Sequence, residues 1–250
     1  MILNIAAYLF VAIEDAPALA NRVRACAEVA ALRGTALVAP EGINLVMAGA
    51  AAPLREFLEN LRSDPRLAGL HAKESWSAVM PFARLKVKCK REIIAFRRAQ
   101  ASPLETGARA PAVAPTTLAR WITQGQDDAG RRLVLLDTRN REETAHGTFD
   151  GALTLPIDNF TELPEALAPH RDTLRDATVV SFCTGGIRCE KAALWLRADG
   201  MDHLLQLDGG ILGYFEHVGG AGYHGNCFVF DQRVALDPAL NPLVGGRPVA

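Results

Sequence analysis

The chain has 250 residues, 49% of them hydrophobic and 22% charged, with a formal net charge of -1. Those proportions fit a soluble globular protein long enough for two domains, and they exclude a globally basic nucleic-acid binder, so any polyanion-binding surface has to be local. No apolar run reaches the length of a membrane span, and the segment from Met1 to Tyr8 lacks the positive n-region of a signal peptide. The five cysteines are scattered, with no Cys-x-x-Cys pair and no His/Cys cluster. That argues against a disulfide framework and a structural zinc site, and favours a reducing cytoplasm with no membrane contact.

In chain order, Ile2 to Ile13 is an apolar run rich in strand formers. Ala18 to Leu32 has helical periodicity, with Leu19, Val23, Cys26, Ala27 and Ala30 on one face, and Gly34 ends it. Thr35 to Ala39 predicts a second strand, Pro40 to Asn44 a turn, and Leu45 to Ala48 the return strand. Ala52 to Arg62 predicts a helix with Leu54, Phe57, Leu58 and Leu61 inward, stopped by Asp64-Pro65. A last strand region covers about Lys73 to Arg97, whole or in two pieces. The order β-α-β-β-α-β is ferredoxin-like.

Within that region, Arg84-Leu85-Lys86-Val87-Lys88-Cys89-Lys90-Arg91 alternates strictly. Lys86, Lys88 and Lys90 share one face, and Leu85, Val87 and Cys89 the other. Two readings stay open: lysines guarding a sheet edge, or a phosphate-binding stripe with Arg84 and Arg91 at its ends.

Residues 99–115 are rich in Ala, Pro and Ser and predict a linker between a domain at 1–98 and another at 116–220. In the second, short apolar strands (Leu133 to Leu136, Val179 to Phe182, Leu204 to Leu207) alternate with helical stretches. The helices are Leu118 to Thr123, Arg141 to Ala145, Thr161 to Leu167, Cys189 to Arg197 and Ile211 to His217. This pattern implies a parallel α/β sheet, whose sites sit at the carboxyl ends of strands. Cys183, Asp137 and Asp208 lie at such ends. Residues 221–250 predict a strand at Asn226 to Asp231 and an irregular tail.

Cys183-Thr184-Gly185-Gly186-Ile187-Arg188 joins a strand to a helix. Two glycines let the backbone curl so that N–H groups and a helix N-terminus face inward, a concavity that stabilises an anion. A thiol held there ionises readily, and Arg188 adds a fixed positive charge. The pattern therefore predicts a nucleophilic thiolate or persulfide on Cys183, cradled by Thr184, Gly185, Gly186 and Ile187. Cysteine-dependent phosphatases have five residues between Cys and Arg; the four here suit a sulfur atom better than a phosphate. Asp137 and Arg139 read either as a wall of this pocket or as an ion pair holding the loop, the second being favoured. Glu142 or Glu143 is a further acid for that wall. Cys189 is either a packed helix residue, the favoured reading, or a partner that resolves a persulfide or disulfide. Cys26 and Cys89 are expected in the core, and the six histidines show no ligand spacing.

Several stretches together resemble the bacterial tRNA uridine hydroxylase family, whose members contain a rhodanese domain. They are Gly34 to Asn44, Pro81 to Lys88, Asp137 to Asn140, Cys183 to Lys191, Leu207 to Ile211 and Phe228 to Asp231. The resemblance implies a ferredoxin-like domain followed by a rhodanese-like parallel α/β domain, and oxygen-dependent 5-hydroxylation of the wobble uridine of tRNA. By position it makes Cys183 the reactive cysteine, tRNA the partner and molecular oxygen the co-substrate. No flavin, haem or iron motif accompanies it, and no cofactor is evident in the sequence. One departure is that many members carry a cysteine-rich segment after the Phe-Val-Phe-Asp strand, where residues 238–250 here hold three prolines and no cysteine. The residues alone also admit a thiosulfate-type sulfurtransferase carrying a persulfide on Cys183, and a non-catalytic module whose loop holds an anion.

Overall fold

The computed structural model describes residues 1–243, so residues 244–250 of the expected irregular tail lie outside the described residues. The chain forms two compact units, Met1–Ala95 with Asp231–Arg233, and Phe96–Phe230 with the residues from Val234 onward.

In the first unit the elements are β1 (Ile2–Phe10), α1 (Ala16–Val29), β2 (Arg33–Ala39), β3 (Gly42–Gly49), α2 (Ala51–Arg62), β4 (Ala72–Ser77) and β5 (Leu85–Cys89). The strand order is β4-β1-β3-β2-β5. The first four strands are antiparallel neighbours in the ferredoxin-like order, and β5 pairs parallel to β2 at the far edge. The region from Lys73 to Arg97 is thus two strands on opposite edges of one sheet, a fifth strand beyond the six-element expectation. Leu3, Ile5, Ala36, Val38, Ile43, Leu45 and Met47 pack against Leu19, Val23 and Ala27 of α1 and Leu54, Phe57, Leu58 and Leu61 of α2. Both helices therefore cover one face, as the period-2 strands and period-3.6 helices require.

Val87 joins that core, so Lys86 and Lys88 point to the opposite face, in register with Thr35 and Leu37. Arg84, Lys86, Lys88, Lys90 and Arg91 are all exposed. Cys89 is also exposed and Cys26 half-buried, correcting the expectation of two core cysteines. Cys89 is the last residue of the edge strand β5, where its thiol donates to the Ala16 carbonyl at 3.5 Å.

The second unit contains α3 (Pro103–Thr106), β6 (Ala112–Val113), α4 (Pro115–Gln124), β7 (Leu133–Asp137), α5 (Arg141–Thr144), β8 (Gly147–Phe149), α6 (Leu163–Leu167) and α7 (Arg171–Leu174). It continues with β9 (Thr178–Phe182), α8 (Ile187–Ala198), β10 (Leu204–Leu207), α9 (Gly210–His217), β11 (Tyr223–Gly225), β12 (Cys227–Phe228) and β13 (Ala235–Leu236). The sheet is parallel, in the order β6-β10-β9-β7. Every residue of the central strand β9 is buried, as a strand covered on both faces must be.

Residues 99–115, expected as a linker, include α3 and the edge strand β6. Arg109 and the Ala110 N–H bond the buried Glu190 carboxylate, and Gln206 Nε2 completes its shell at 2.9 Å. A two-residue strand leaves no periodic signal, which is why Ala and Pro content dominated the reading. For the same reason the strand expected over Asn226 to Asp231 is only β12, paired with β13, while the preceding glycine-rich stretch supplies β11.

Candidate active site

β9 delivers Cys183 to the carboxyl edge of the parallel sheet, and α8 starts four residues later. Gly186 sits at φ 101° as the N-cap of α8, a conformation in which an L side chain is strained. That curl aims the Gly186 N–H at Cys183 Sγ, 3.1 Å away, and the Arg188 and Cys189 N–H groups bond the same sulfur. The α9 start lies directly beneath, where the Ile211 and Leu212 N–H groups bond the Cys183 and Thr184 carbonyls. Gly210 makes this approach possible: a Cβ there would lie 2.5 Å from the Cys183 carbonyl oxygen. The helix begins at Ile187 rather than near Cys189, so Arg188 belongs to its first turn.

Arg188 is buried and forms a bidentate ion pair with Glu143, Nη1 to Oε2 at 2.5 Å and Nη2 to Oε1 at 2.6 Å. Burial works against ionisation of Glu143, but the facing Arg188 charge and its hydrogen bonds outweigh it and hold the carboxyl below its usual range. Glu143 is itself placed by the turn at Asn140, whose N–H donates to Oε2 at 3.1 Å.

Asp137 and Arg139 form a second buried pair, Nη2 to Oδ2 at 2.6 Å, extended by Thr148 Oγ1 donating to Asp137 and by Arg139 donating to the Gly147 carbonyl. These bonds tie the β7 end to β8. They give Asp137 and Arg139 the loop-holding geometry that was favoured for them. Asp208 is exposed and takes no part.

Cys183 has no accessible surface. Burial alone would raise its pKa, yet a hydrogen bond from the Cys189 thiol, the Arg188 charge and the backbone donors lower it, to about 5. Cys189 moves the opposite way, up, through burial and the adjoining Cys183 sulfur. The site therefore holds a thiolate and a thiol side by side. Thr138 fixes the second, its Oγ1 lying 3.5 Å from Cys189 Sγ and bonding the Phe182 carbonyl. Thr184 Oγ1 reaches Glu143 at 3.4 Å and the Phe228 carbonyl at 3.5 Å. It also bonds Cys227, a third buried thiol whose pKa burial pushes up to about 12.

The loop residues, Arg188 and their acid partner thus come together, whereas Arg84, Lys86, Lys88, Lys90 and Arg91 lie in the other unit. Sequence reasoning did not single out Thr138 and Cys227, and left Glu143 undecided against Glu142. The Asn-x-x-Glu spacing of a capping box was the available signal for Glu143. Among the described residues no group of three His, Cys, Asp or Glu is placed to hold a metal ion, and no helix is long and apolar enough to cross a membrane.

Residues 2–93 match the family described as UPF0176 acylphosphatase like domain, and residues 115–217 match the rhodanese-like domain. The chain is 66% identical over 244 residues to a tRNA uridine(34) hydroxylase of Xanthomonas euvesicatoria, covering 98% of each chain. It is 64% identical to that of Xanthomonas campestris and 60% identical to that of Xylella fastidiosa, over all of this chain and 98% and 96% of theirs. The chain belongs to the tRNA uridine(34) hydroxylase family. The two family matches also correspond to the two units, an acylphosphatase-like sheet and a rhodanese-like sheet.

Proposed function

We propose that this protein hydroxylates the wobble uridine of tRNA at C5, with molecular oxygen as co-substrate and Cys183 as the reactive group. Full-length identity of 60–66% to tRNA uridine(34) hydroxylases carries the reading, and the ionised thiol in its donor cradle supplies a group able to react. Each neighbour has a task. The Gly186, Arg188 and Cys189 N–H groups stabilise negative charge on sulfur, Arg188 adds to the field, and Glu143 orients Arg188 while neutralising it. The exposed cations Arg84, Lys86, Lys88, Lys90 and Arg91 contact tRNA phosphates, which gives affinity without sequence preference. The uridine lies in a single-stranded loop, where a base can leave its stack and enter an enzyme pocket. A cytoplasmic setting, where tRNA and reduced thiols coexist, fits both substrate and site. Expressing Cys183→Ala in a strain lacking the native protein should abolish 5-hydroxyuridine in tRNA, read by nucleoside mass spectrometry. Unchanged 5-hydroxyuridine would end the assignment.

One observation favours a second activity: four residues separate Cys183 from Arg188, one fewer than in the loop of cysteine-dependent phosphatases. In a sulfurtransferase cycle the Cys183 thiolate attacks the sulfane sulfur of thiosulfate and releases sulfite. The resulting persulfide then passes its outer sulfur to cyanide as thiocyanate. Robust turnover in that assay, with tRNA nucleosides unaffected by Cys183→Ala, would make this the principal activity.

A further inference from the structure

The rim of the Cys183 loop carries an aromatic group that the chemistry above does not use. The Phe228 carbonyl accepts from Thr184, the residue after Cys183. The Phe228 ring lies against His146, with centroids 5.3 Å apart, and stands edge-on to Phe230 at 5.1 Å and 86°. Phe228 and His146 are half-buried, and Phe230 is 62% exposed. The other aromatic residues around the loop, Phe149, Phe182 and Tyr214, are sealed in the core. A single exposed phenyl ring is ordinary. This one differs in being the open end of a row of rings that starts at the catalytic loop. A uridine pulled from a single-stranded loop leaves a neighbouring base unstacked, and an aromatic face replaces the lost contact for any base. We infer that Phe230, backed by Phe228 and His146, is a stacking platform for a nucleobase adjoining the modified uridine.

This platform rests on the hydroxylase reading and has a distinct readout. Phe230→Ala should raise the KM for tRNA about tenfold, the size expected for one lost base–aromatic stack. Phe230→Trp should keep the wild-type KM and show indole fluorescence quenched by tRNA, relative to wild type. Phe230→Leu, apolar but without a ring face, should stay impaired. A wild-type KM in Phe230→Ala or Phe230→Leu would overturn the platform. Failure of the wild-type protein to form any 5-hydroxyuridine would instead overturn the hydroxylase reading.

Discussion

A thiol without accessible surface is ordinarily a weak acid, because a low-dielectric interior penalises the thiolate. Cys183 is an exception since three backbone N–H groups, the Cys189 thiol and Arg188 converge on its sulfur. Its folded pKa lies below its unfolded one, so the stability it contributes is fully present above the unfolded pKa, for which the ordinary thiol value of 9.0 serves. That contribution is lost as pH falls through the folded value of about 5. The thiolate absorbance difference between wild type and Cys183→Ser should titrate near that lower value, and Cys189→Ala should move the midpoint up by removing one donor. A midpoint near 9.0 in wild type would deny the site its ionised nucleophile. Much of this was legible in the chain: a cysteine, two glycines and an arginine after an apolar strand describe a donor cradle. Its partners were not. Glu143 comes from the turn after another strand, and the choice between a packed and a reacting Cys189 depends on which way two sulfurs point.

Elements, rather than single groups, hold the cradle in shape. The loop is clamped between the first turn of α8 and the start of α9, and the clamp closes only because Gly210 has no Cβ. At φ 62° an alanine is strained, and its methyl would fall 2.5 Å from the Cys183 carbonyl oxygen. Gly210→Ala should therefore cost about 1–3 kcal/mol in backbone strain alone, with further loss from the overlap. Thermal unfolding should show the destabilisation, and the Cys183 midpoint should drift up as the donors separate. Gly185→Ala is the control, since no atom outside its own neighbourhood lies within 4 Å of the added methyl. The Glu143–Arg188 pair acts on the same clamp. Glu143→Gln leaves a buried guanidinium without its counter-charge, so a loss of about 3 kcal/mol in denaturant unfolding is expected. At this scale the sequence predicted long periodic elements well. It did not reveal that β5 pairs with β2 and not beside β4, because edge choice depends on sheet register, which alternation does not encode. The two-residue strands β6 and β13 left no pattern at all.

At the scale of the whole molecule, a chain of net charge -1 has to bind a polyanion through a local surface. The edge strand β5 provides one, with Lys86 and Lys88 on the face that α1 and α2 leave open. Edge protection and phosphate binding both explain lysines on such a strand, and they differ in salt dependence. A lysine that neutralises a phosphate releases a condensed counterion, so the logarithm of affinity falls with the logarithm of salt concentration in proportion to the number of such contacts. Removing Lys86 and Lys88 together, as Lys86→Ala with Lys88→Ala, should flatten that slope by about 0.7–0.9 per lysine and weaken binding across unrelated tRNAs alike. The measurement is a tRNA titration at several salt concentrations, with circular dichroism to establish that the exposed substitutions leave the fold intact. An unaltered slope would make these lysines edge guards and move the tRNA surface elsewhere. A flattened slope with 5-hydroxyuridine formation recovered at saturating tRNA would divide the labour between the units: phosphate affinity in the first, thiol chemistry in the second.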